Sequence, residues 1–300
     1  MQPCPAPWRA TGLLWTADHA TLGWWRPGAE PQTSAALRPG TRLAFTTGSD
    51  RCCLGLLRRV GHIPCPTAAA LAPDARSGRC ADCTALDRSR SVAADTAIDD
   101  PRPYSVYLAH HGEGLVKVGI TARQRGSVRL LEQGALASTL LSTGPLLAAR
   151  RTENLLGAAL ALPDRVTVQH KRRARLRPGP AEERAGRLTD LSRQARALPG
   201  WPEAQVPQLP SVDDHMPRYP LPPEGLRPTA AVRPLEPGAT VAGEVVSVIG
   251  CDLYLRHEGG LVLLDTRLLA GWTLRRAPEG APPTAGLDRV APDARPEPLF

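Results

Sequence analysis

Short apolar runs, broken by polar and turn-forming residues, predict β-strands over the first fifty residues of the chain. The strand-like runs there are TGLLW, LGWW and TRLAFTT, and Pro-Gly turns separate them. Similar runs return near the C-terminus as ATVAGEVVSVIG, DLYLRH, GLVLLD and LAGWTLR. Both ends of the chain are therefore predicted to be β-rich, and the C-terminal strands are predicted to pack back onto the N-terminal ones.

The middle of the chain predicts a hairpin followed by helices. The stretch SVYLAHHGEGLVKVGIT predicts two strands joined by a Gly-containing turn, SVRLLEQGA a short helix ending at Gly134, and STLLST a third strand. The apolar spacing of PLLAARRTENLLGAALAL predicts a helix that Pro163 ends. We expect a closing strand at RVTVQH and an amphipathic helix at AEERAGRLTDLSRQARAL.

Shifts in composition divide the chain into six segments. They are a β-rich N-terminal segment (1–51), a cysteine-containing segment (52–100), the hairpin-and-helix unit (101–170), a basic helix with a Pro-rich connector (171–235), a C-terminal β segment (236–275) and a tail predicted to be disordered (276–300). The Pro-rich connector is expected to lie extended along the surface. The element pattern predicts an α+β fold.

The charge balance favours an anionic partner such as nucleic acid. The formal net charge is +8 and the pI is near 9.5. A competing explanation is GC-rich coding DNA, since lysine occurs only at Lys117 and Lys171 and arginine supplies the other basic residues. Trp15, Trp24 and Trp25 could form a base-stacking surface, although the core is the favoured position for such residues.

Targeting signals are not evident in the sequence. The N-terminus lacks the charged-then-apolar order of a secretory signal, and no apolar run reaches the roughly 18 residues of a membrane span. We therefore expect a cytoplasmic protein with no membrane partner. The seven cysteines are an odd number, and in a reducing compartment metal binding is their favoured use.

Four cysteines in the second segment are predicted to hold one structural zinc ion: Cys53, Cys65, Cys80 and Cys83. CADC is a Cys-x-x-Cys turn, which presents two sulfurs to one tetrahedral metal ion. Cys52 could replace Cys53, and His62 could replace Cys65. The alternative is that these residues are buried free thiols, whereas Cys4 and Cys251 lie outside the cluster.

The hairpin carries residues with a known order in one enzyme superfamily. Val106 and Tyr107 lie on the first strand and KVG (117–119) on the second, while Arg129 and Glu153 fall in the two following helices. This arrangement resembles the GIY-YIG nucleases, whose two tripeptides lie side by side in a small sheet. The fold expected is thus a GIY-YIG-like small sheet with flanking helices between β-rich segments, stapled by zinc.

The resemblance implies a catalytic site that cleaves phosphodiesters. Its residues would be Tyr107, Lys117, Gly119, Arg129 and Glu153. Tyr107 would orient or deprotonate a water molecule, Arg129 would clamp the phosphate, and Glu153 would hold Mg²⁺ or Mn²⁺. Arg123 or Arg125 could replace Arg129. The residues expected to contact nucleic acid are Lys117, Thr121, Arg123, Arg125, Lys171, Arg172 and Arg173.

The sequence departs from the superfamily pattern in three places. Ser105 stands where the first tripeptide has Gly, Lys117 stands where the second has Tyr, and the usual late Asn has no clear match. The chemical competence of the site therefore does not follow from the resemblance. The leading hypothesis is a zinc-containing nucleic-acid-binding protein with metal-dependent endonuclease activity, and the alternative is a non-catalytic, zinc-stabilised interaction module.

A wider resemblance covers residues 10–275. The order of RCCLG, HIPCP, CADC, VYLAHHGEGLVKVGIT, RLLEQGA, GEVVSVIGCDLYL and LLAGWTLR is similar to an uncharacterised bacterial and archaeal family known only as a domain of unknown function. That resemblance implies a cytoplasmic, zinc-containing protein and implies no substrate.

Overall fold

A computed structural model describes residues 6–57, 61–75, 77–89, 100–278 and 280–290. The strands are β1 (Arg9–Trp15), β2 (Ala20–Trp25), β3 (Gln32–Thr33), β4 (Arg42–Arg51), β5 (Leu56–Leu57), β6 (His62–Ile63), β7 (Tyr104–His110), β8 (Val116–Ala122), β9 (Ala137–Gly144), β10 (Val206–Pro207), β11 (Val212–Asp214), β12 (Ala230–Val232), β13 (Thr240–Ile249), β14 (Asp252–His257), β15 (Gly260–Asp265), β16 (Trp272–Arg276) and β17 (Leu287–Arg289). The helices are α1 (Ala81–Ser89), α2 (Gly126–Glu132), α3 (Leu146–Ala159), α4 (Val168–Ala174) and α5 (Ala181–Ala197). The fold is mixed α+β with more strand than helix, as the sequence predicts.

The chain divides into two units. The first takes its described residues from 1–14, 19–87 and 227–300, and the second takes them from 15–18 and 88–226. The boundaries at 87–88 and 226–227 lie inside the predicted segments 52–100 and 171–235. The hairpin-and-helix region therefore falls within the second unit, and the cysteine cluster falls within the first.

A seven-stranded sheet joins the two ends of the chain in the first unit. Its strand order is β16-β4-β13-β14-β15-β12-β17, and a three-stranded sheet β1-β2-β3 accompanies it. Strand β4 pairs antiparallel with β13, with Thr46 opposite Thr240. This pairing confirms that the C-terminal strands pack back onto the N-terminal ones. Trp272 on β16 and Leu253 on β14 are buried in this unit.

The predicted disordered tail contains a strand. Leu287–Arg289 pairs antiparallel with β12, with Leu287 opposite Val232. The prediction of disorder from residue 276 is wrong for this stretch, because the open edge of β12 offers it backbone hydrogen bonds. Residues 291–300, which the same prediction covered, lie outside the described residues.

The sheet of the second unit has the order β10-β9-β7-β8, with β11 also pairing with β9. Strand β7 lies between β8 and β9, and all seven of its residues are buried. Leu156 of α3 and Leu188 of α5 are fully buried in the same core as Val106 and Leu141. Burial of each such leucine contributes about 1.5–3 kcal/mol, so the hydrophobic period of the two helices fixes which of their faces meets the sheet.

Two predictions in this unit are wrong. RVTVQH does not form a strand, because the side chain of Thr167 accepts a hydrogen bond from the backbone N–H of His170 at 3.1 Å and caps α4 instead. The Pro-rich connector is not simply extended along the surface, since β10 and β11 add to the edge of β9. Tyr219 in the same connector is fully buried, and its hydroxyl donates to the backbone carbonyl of Leu131.

Helices long and apolar enough to cross a bilayer do not occur in the part of the chain that the structure describes.

Candidate functional site

Tyr107 and Gly119 lie directly opposite each other on β7 and β8. The phenol ring of Tyr107 crosses over the backbone of Gly119. A Cβ atom at position 119 would lie 2.5 Å from Cζ of the phenol and closer still to its hydroxyl. Glycine is therefore required at 119 because the aromatic ring occupies the space of a side chain.

Gln133 connects the phenol to a buried lysine. Its side-chain N–H donates to the Tyr107 hydroxyl at 2.8 Å, and its oxygen accepts from Nζ of Lys117 at 3.4 Å. The same ammonium donates to the backbone carbonyl of Asp164 at 2.8 Å and lies 5.8 Å from the centre of the Tyr107 ring. Lys117 is 8% exposed. The side-chain oxygen of Gln133 and the backbone carbonyl of Asp164 thus hold the ammonium group close to the phenol ring.

Two arginines and two glutamates lie near Tyr107 and Lys117. Arg129 of α2 donates to the Glu132 carboxylate at 3.3 Å, and Arg125 pairs with the same carboxylate. Electrostatic interactions link the Tyr107 phenol with Arg129, Arg125 and Glu153. The predicted catalytic residues Tyr107, Lys117, Gly119, Arg129 and Glu153 are therefore brought together in the second unit, and we call this group and its immediate partners the phenol site.

The titration behaviour of the three central groups is dominated by their burial. Burial raises the pKa of Tyr107, and the hydrogen bond from Gln133 opposes that rise. Burial also raises the pKa of Glu153, which the positive charge of Lys117 opposes. Lys117 itself has a lowered pKa, again because of burial, with Glu153 acting in the opposite direction. The site therefore holds a neutral phenol, and the Glu153 carboxylate and the Lys117 amine each favour the charged form of the other.

The residues predicted to contact nucleic acid occupy different environments. Arg123 and Arg173 are exposed, and Arg172 is half-buried. Lys171 of α4 donates to the backbone carbonyl of Gln133 at 3.4 Å, which brings α4 next to the phenol site. Thr121 is 5% exposed on β8, so its hydroxyl is not presented at the surface.

The four predicted zinc ligands meet in the first unit. The Sγ atoms of Cys53, Cys65, Cys80 and Cys83 all lie within 4.8 Å of one another, and those of Cys65 and Cys80 are 4.0 Å apart. Tetrahedral Zn–S bonds of about 2.3 Å place sulfurs about 3.8 Å apart. The geometry and the all-sulfur donor set fit a structural metal ion such as zinc.

Backbone groups shape the cysteine cluster. Cys53 Sγ accepts from the backbone N–H of Cys80 at 3.1 Å and of Gly55 at 3.4 Å, as expected for a thiolate. Gly55 has φ +70, and a Cβ there would lie 2.6 Å from the backbone nitrogen of Cys65. The two ligand-bearing loops can approach each other only because this residue is glycine.

The two alternative ligands point elsewhere. Cys52 Sγ lies 3.2 Å from an Asp50 carboxylate oxygen, outside the cluster. His62 contacts the backbone carbonyl of Leu54 and packs edge-on against Trp25 at 4.1 Å between ring centres.

The thiol of Cys65 has a lowered pKa. Burial raises this pKa, but hydrogen bonds from Thr67 and nearby amides outweigh burial and lower it to about 6. Cys4 lies outside the described residues.

A Ser–His–Asp row elsewhere in the second unit does not form a hydrolase triad. Ser138 Oγ lies 2.9 Å from Nε2 of His215, and an Asp213 carboxylate oxygen lies 3.5 Å from Nδ1. However, Arg218 donates to Nδ1 at 3.1 Å, so Nε2 carries the proton and cannot accept one from the serine. His215 is also fully buried, and the row is structural.

The fold and the cysteine cluster define a mixed α+β protein with a candidate metal centre. Residues 40–274 match the DUF2797 family, whose description is "Protein of unknown function (DUF2797)". The match covers most of the chain, which therefore belongs to this family. No curated protein and no solved structure matches the chain.

Three residues of the phenol site were not predicted from the sequence. Gln133 acts through its amide, Glu132 holds two arginines, and Asp164 contributes a backbone carbonyl. EQG (132–134) begins with the last residue of α2, so Glu132 and Gln133 could have been proposed from their place at the end of that helix. The contact of Asp164 depends on tertiary structure alone.

Proposed function

We propose that this protein binds nucleic acid and cleaves phosphodiesters with a metal-dependent site of GIY-YIG type in the second unit. The observation that carries the proposal is the Tyr107 phenol lying over Gly119, with Gln133 at its hydroxyl and the Lys117 ammonium 5.8 Å from the ring centre. Packing alone does not require a lysine at a buried position near a tyrosine ring, because a buried amine costs free energy. Such an arrangement is typical of a functional site.

Each residue has a role in this proposal. Hydrolysis joins a water oxygen to phosphorus and breaks the bond to a sugar oxygen, which takes up a proton. The Tyr107 hydroxyl accepts from Gln133, so its own proton is available to orient the attacking water or the phosphate. Arg129 and Arg125 would grip the non-bridging oxygens, with Glu132 holding both guanidinium groups in place.

Glu153 is the proposed ligand of a divalent cation. Its carboxylate is half-buried and interacts electrostatically with Asp164, and such oxygen donors suit Mg²⁺ or Mn²⁺, which keep several of their waters. When bound, the cation would neutralise charge that develops on the phosphate. Lys117 already supplies one positive charge beside Glu153.

The four-cysteine cluster of the first unit suits zinc in a structural role, in keeping with the expected cytoplasmic location.

The alternative function is a non-catalytic, zinc-stabilised interaction module. The observation that favours it is the burial of the phenol, since Tyr107 is only 2% exposed. In that case Tyr107, Lys117 and Gln133 would form a buried polar network that specifies the packing of the sheet.

Tyr107→Phe separates the two functions. Phenylalanine keeps the ring over Gly119 and removes only the hydroxyl. We expect wild type to cleave labelled DNA or RNA with Mg²⁺ or Mn²⁺ at low salt, and Tyr107→Phe to lose about a hundredfold in rate with unchanged affinity. Equal rates for the two proteins, or no cleavage by wild type, would favour the interaction module. Failure of wild type to bind either nucleic acid at low salt would remove the proposal.

A further inference from the structure

A cavity of about 780 Å³ lies in the first unit, and none of the residues that line it is a cysteine. Leu22 and Trp24 of β2 line one side of it, and Phe45 of β4 lines another. Arginines of β4 and β16 complete the wall: Arg42, Arg275 and Arg276. Its volume lies in the range of about 300–1,000 Å³ that is typical of ligand sites.

The three arginines of this cavity carry unbalanced positive charge. Each is exposed, and none of them forms an ion pair or side-chain hydrogen bond with any residue the structure describes. Glu244 is the acidic residue among those lining the cavity, and it pairs with Arg256 on the neighbouring strand at 3.3 Å. Charge complementarity therefore favours an anion in the cavity.

Trp24 gives the cavity an aromatic surface. Its neighbour Trp25 is buried and packs against His62, and Trp15 is also buried. Trp24 by contrast is half-buried and makes no ring contact with another residue in the described part of the chain. An aromatic ring beside arginines is the combination that stacks an unpaired base and binds its phosphate.

The spacing of the arginines favours a strand over a single nucleotide. Thr46 lies opposite Arg275 on β16, and Arg42 is four residues before Thr46 on β4. At about 3.3 Å per strand residue, the backbone positions that carry these side chains span about 13 Å of the sheet. A single phosphate group is much smaller than this span, whereas successive phosphates of an extended strand can follow it.

We infer that this cavity binds single-stranded nucleic acid, with one base stacked on Trp24 and adjacent phosphates on Arg42, Arg275 and Arg276. This site goes beyond the proposed cleavage site, with which it shares only the class of ligand. It would hold a strand at a second place on the protein, independently of whether the phosphodiester site is chemically active.

Fluorescence anisotropy of labelled 12-nucleotide DNA and RNA strands tests the inference on the full chain without added divalent metal. The control is Arg289→Ala, which removes the same charge from β17, the opposite edge strand of the sheet. We expect Arg275→Ala to weaken binding and to reduce the slope of log affinity against log salt by about 0.7, whereas Arg289→Ala leaves the slope unchanged. Trp24→Leu should weaken binding about tenfold without changing the slope, and Trp24→Phe should restore most of it.

Each other outcome has a definite meaning. If wild type binds single strands and the Arg275→Ala and Trp24→Leu variants bind equally well, the cavity is not the site, and the proposed function is untouched. If wild type binds neither DNA nor RNA, both proposals are overturned. If a mononucleotide competes as well as the 12-nucleotide strand, or an acidic peptide does, the assignment to a nucleic-acid strand is wrong. Zinc content, measured for every variant, shows that the first unit remains folded.

Discussion

The Tyr107 phenol fills the space that a side chain at position 119 would occupy, and the two residues are cross-strand partners at the centre of the second unit. A tyrosine on a buried strand normally packs its ring against neighbouring apolar side chains. Here the ring packs in this way against Leu130 and Leu140, but its hydroxyl also meets Gln133, and the ammonium group of Lys117 lies near the ring. The glycine and the polar partners together define the position of the phenol oxygen.

Gly119→Ala should therefore displace the phenol. The added Cβ would overlap the ring, and overpacking of this kind costs about 1–3 kcal/mol of unfolding free energy. Urea denaturation of the variant measures this cost. Gly186→Ala is the matched control, because nothing lies within 4 Å of a Cβ at that position of α5 and alanine favours the helix by about 0.5–1 kcal/mol. Equal stability of wild type and Gly119→Ala would show that the ring does not occupy this space.

Gln133→Leu should disturb the site without removing a reacting group. Leucine leaves the Tyr107 hydroxyl and the Lys117 ammonium without their shared partner, and the hydroxyl is then no longer held in one direction. We expect cleavage to slow by about tenfold to a hundredfold while nucleic-acid affinity is unchanged. Single-turnover rates measure the effect. Gln124→Leu is the control, because it alters an exposed glutamine just before α2, the helix that Gln133 follows, and it should keep the wild-type rate. Equal losses of rate in the two variants would argue against a positioning role for Gln133.

The cysteine cluster should bind one metal ion per chain. Cys65→Ser removes a sulfur of the cluster and should abolish stoichiometric zinc binding and destabilise the first unit, since such sites contribute directly to folding. Cys52→Ser and Cys251→Ser leave the four sulfurs in place and should retain the metal. Elemental analysis of the purified proteins is the measurement. Less than one zinc in folded wild type, or loss of zinc in Cys52→Ser, would contradict the ligand assignment.

The second unit should lose stability as the pH falls below 6.5. Burial lowers the pKa of His215 from 6.5 to about 4, so between these values the unfolded chain binds a proton that the folded chain does not. The unfolding free energy therefore falls with decreasing pH by up to about 1.4 kcal/mol per pH unit from this residue. His215→Gln should reduce the slope of unfolding free energy against pH by that amount, as measured by urea titrations between pH 4.5 and 7. His170→Gln, an exposed position, should not.

Local sequence patterns predicted much of the second unit, because its hairpin and its two long helices depend on nearby residues. The two strand-like runs joined by a Gly-containing turn around Tyr107 and the apolar period of α3 required no tertiary information. The strand predicted at RVTVQH does not form, because Thr167, although β-branched residues favour strands, caps a helix with its side chain. The short strands of the Pro-rich connector exist only because β9 offers them an edge.

The chemistry was predictable to a similar extent. The Cys-x-x-Cys sequence CADC was enough to predict Cys80 and Cys83 as metal ligands. The choice of Cys53 over Cys52 depends on which way each side chain points from the loop after β4. Residues that act through a carbonyl or an amide, such as Asp164 and Gln133, leave no compositional signal. The cavity arginines come from strands more than 200 residues apart in sequence, and only the pairing of β4 with β16 brings them together.

The rate of metal-dependent cleavage by Glu153→Gln shows whether the Glu153 carboxylate acts in the proposed phosphodiester cleavage. The substrates are end-labelled DNA and RNA, with Mg²⁺ or Mn²⁺, under single-turnover conditions. Glu182→Gln removes an exposed carboxylate from α5 and is the control. We expect wild type and Glu182→Gln to cleave at the same rate and Glu153→Gln to be slower by a hundredfold or more, within the range of about 10²–10⁴ for one catalytic group. Wild-type cleavage rates in Glu153→Gln would contradict this expectation.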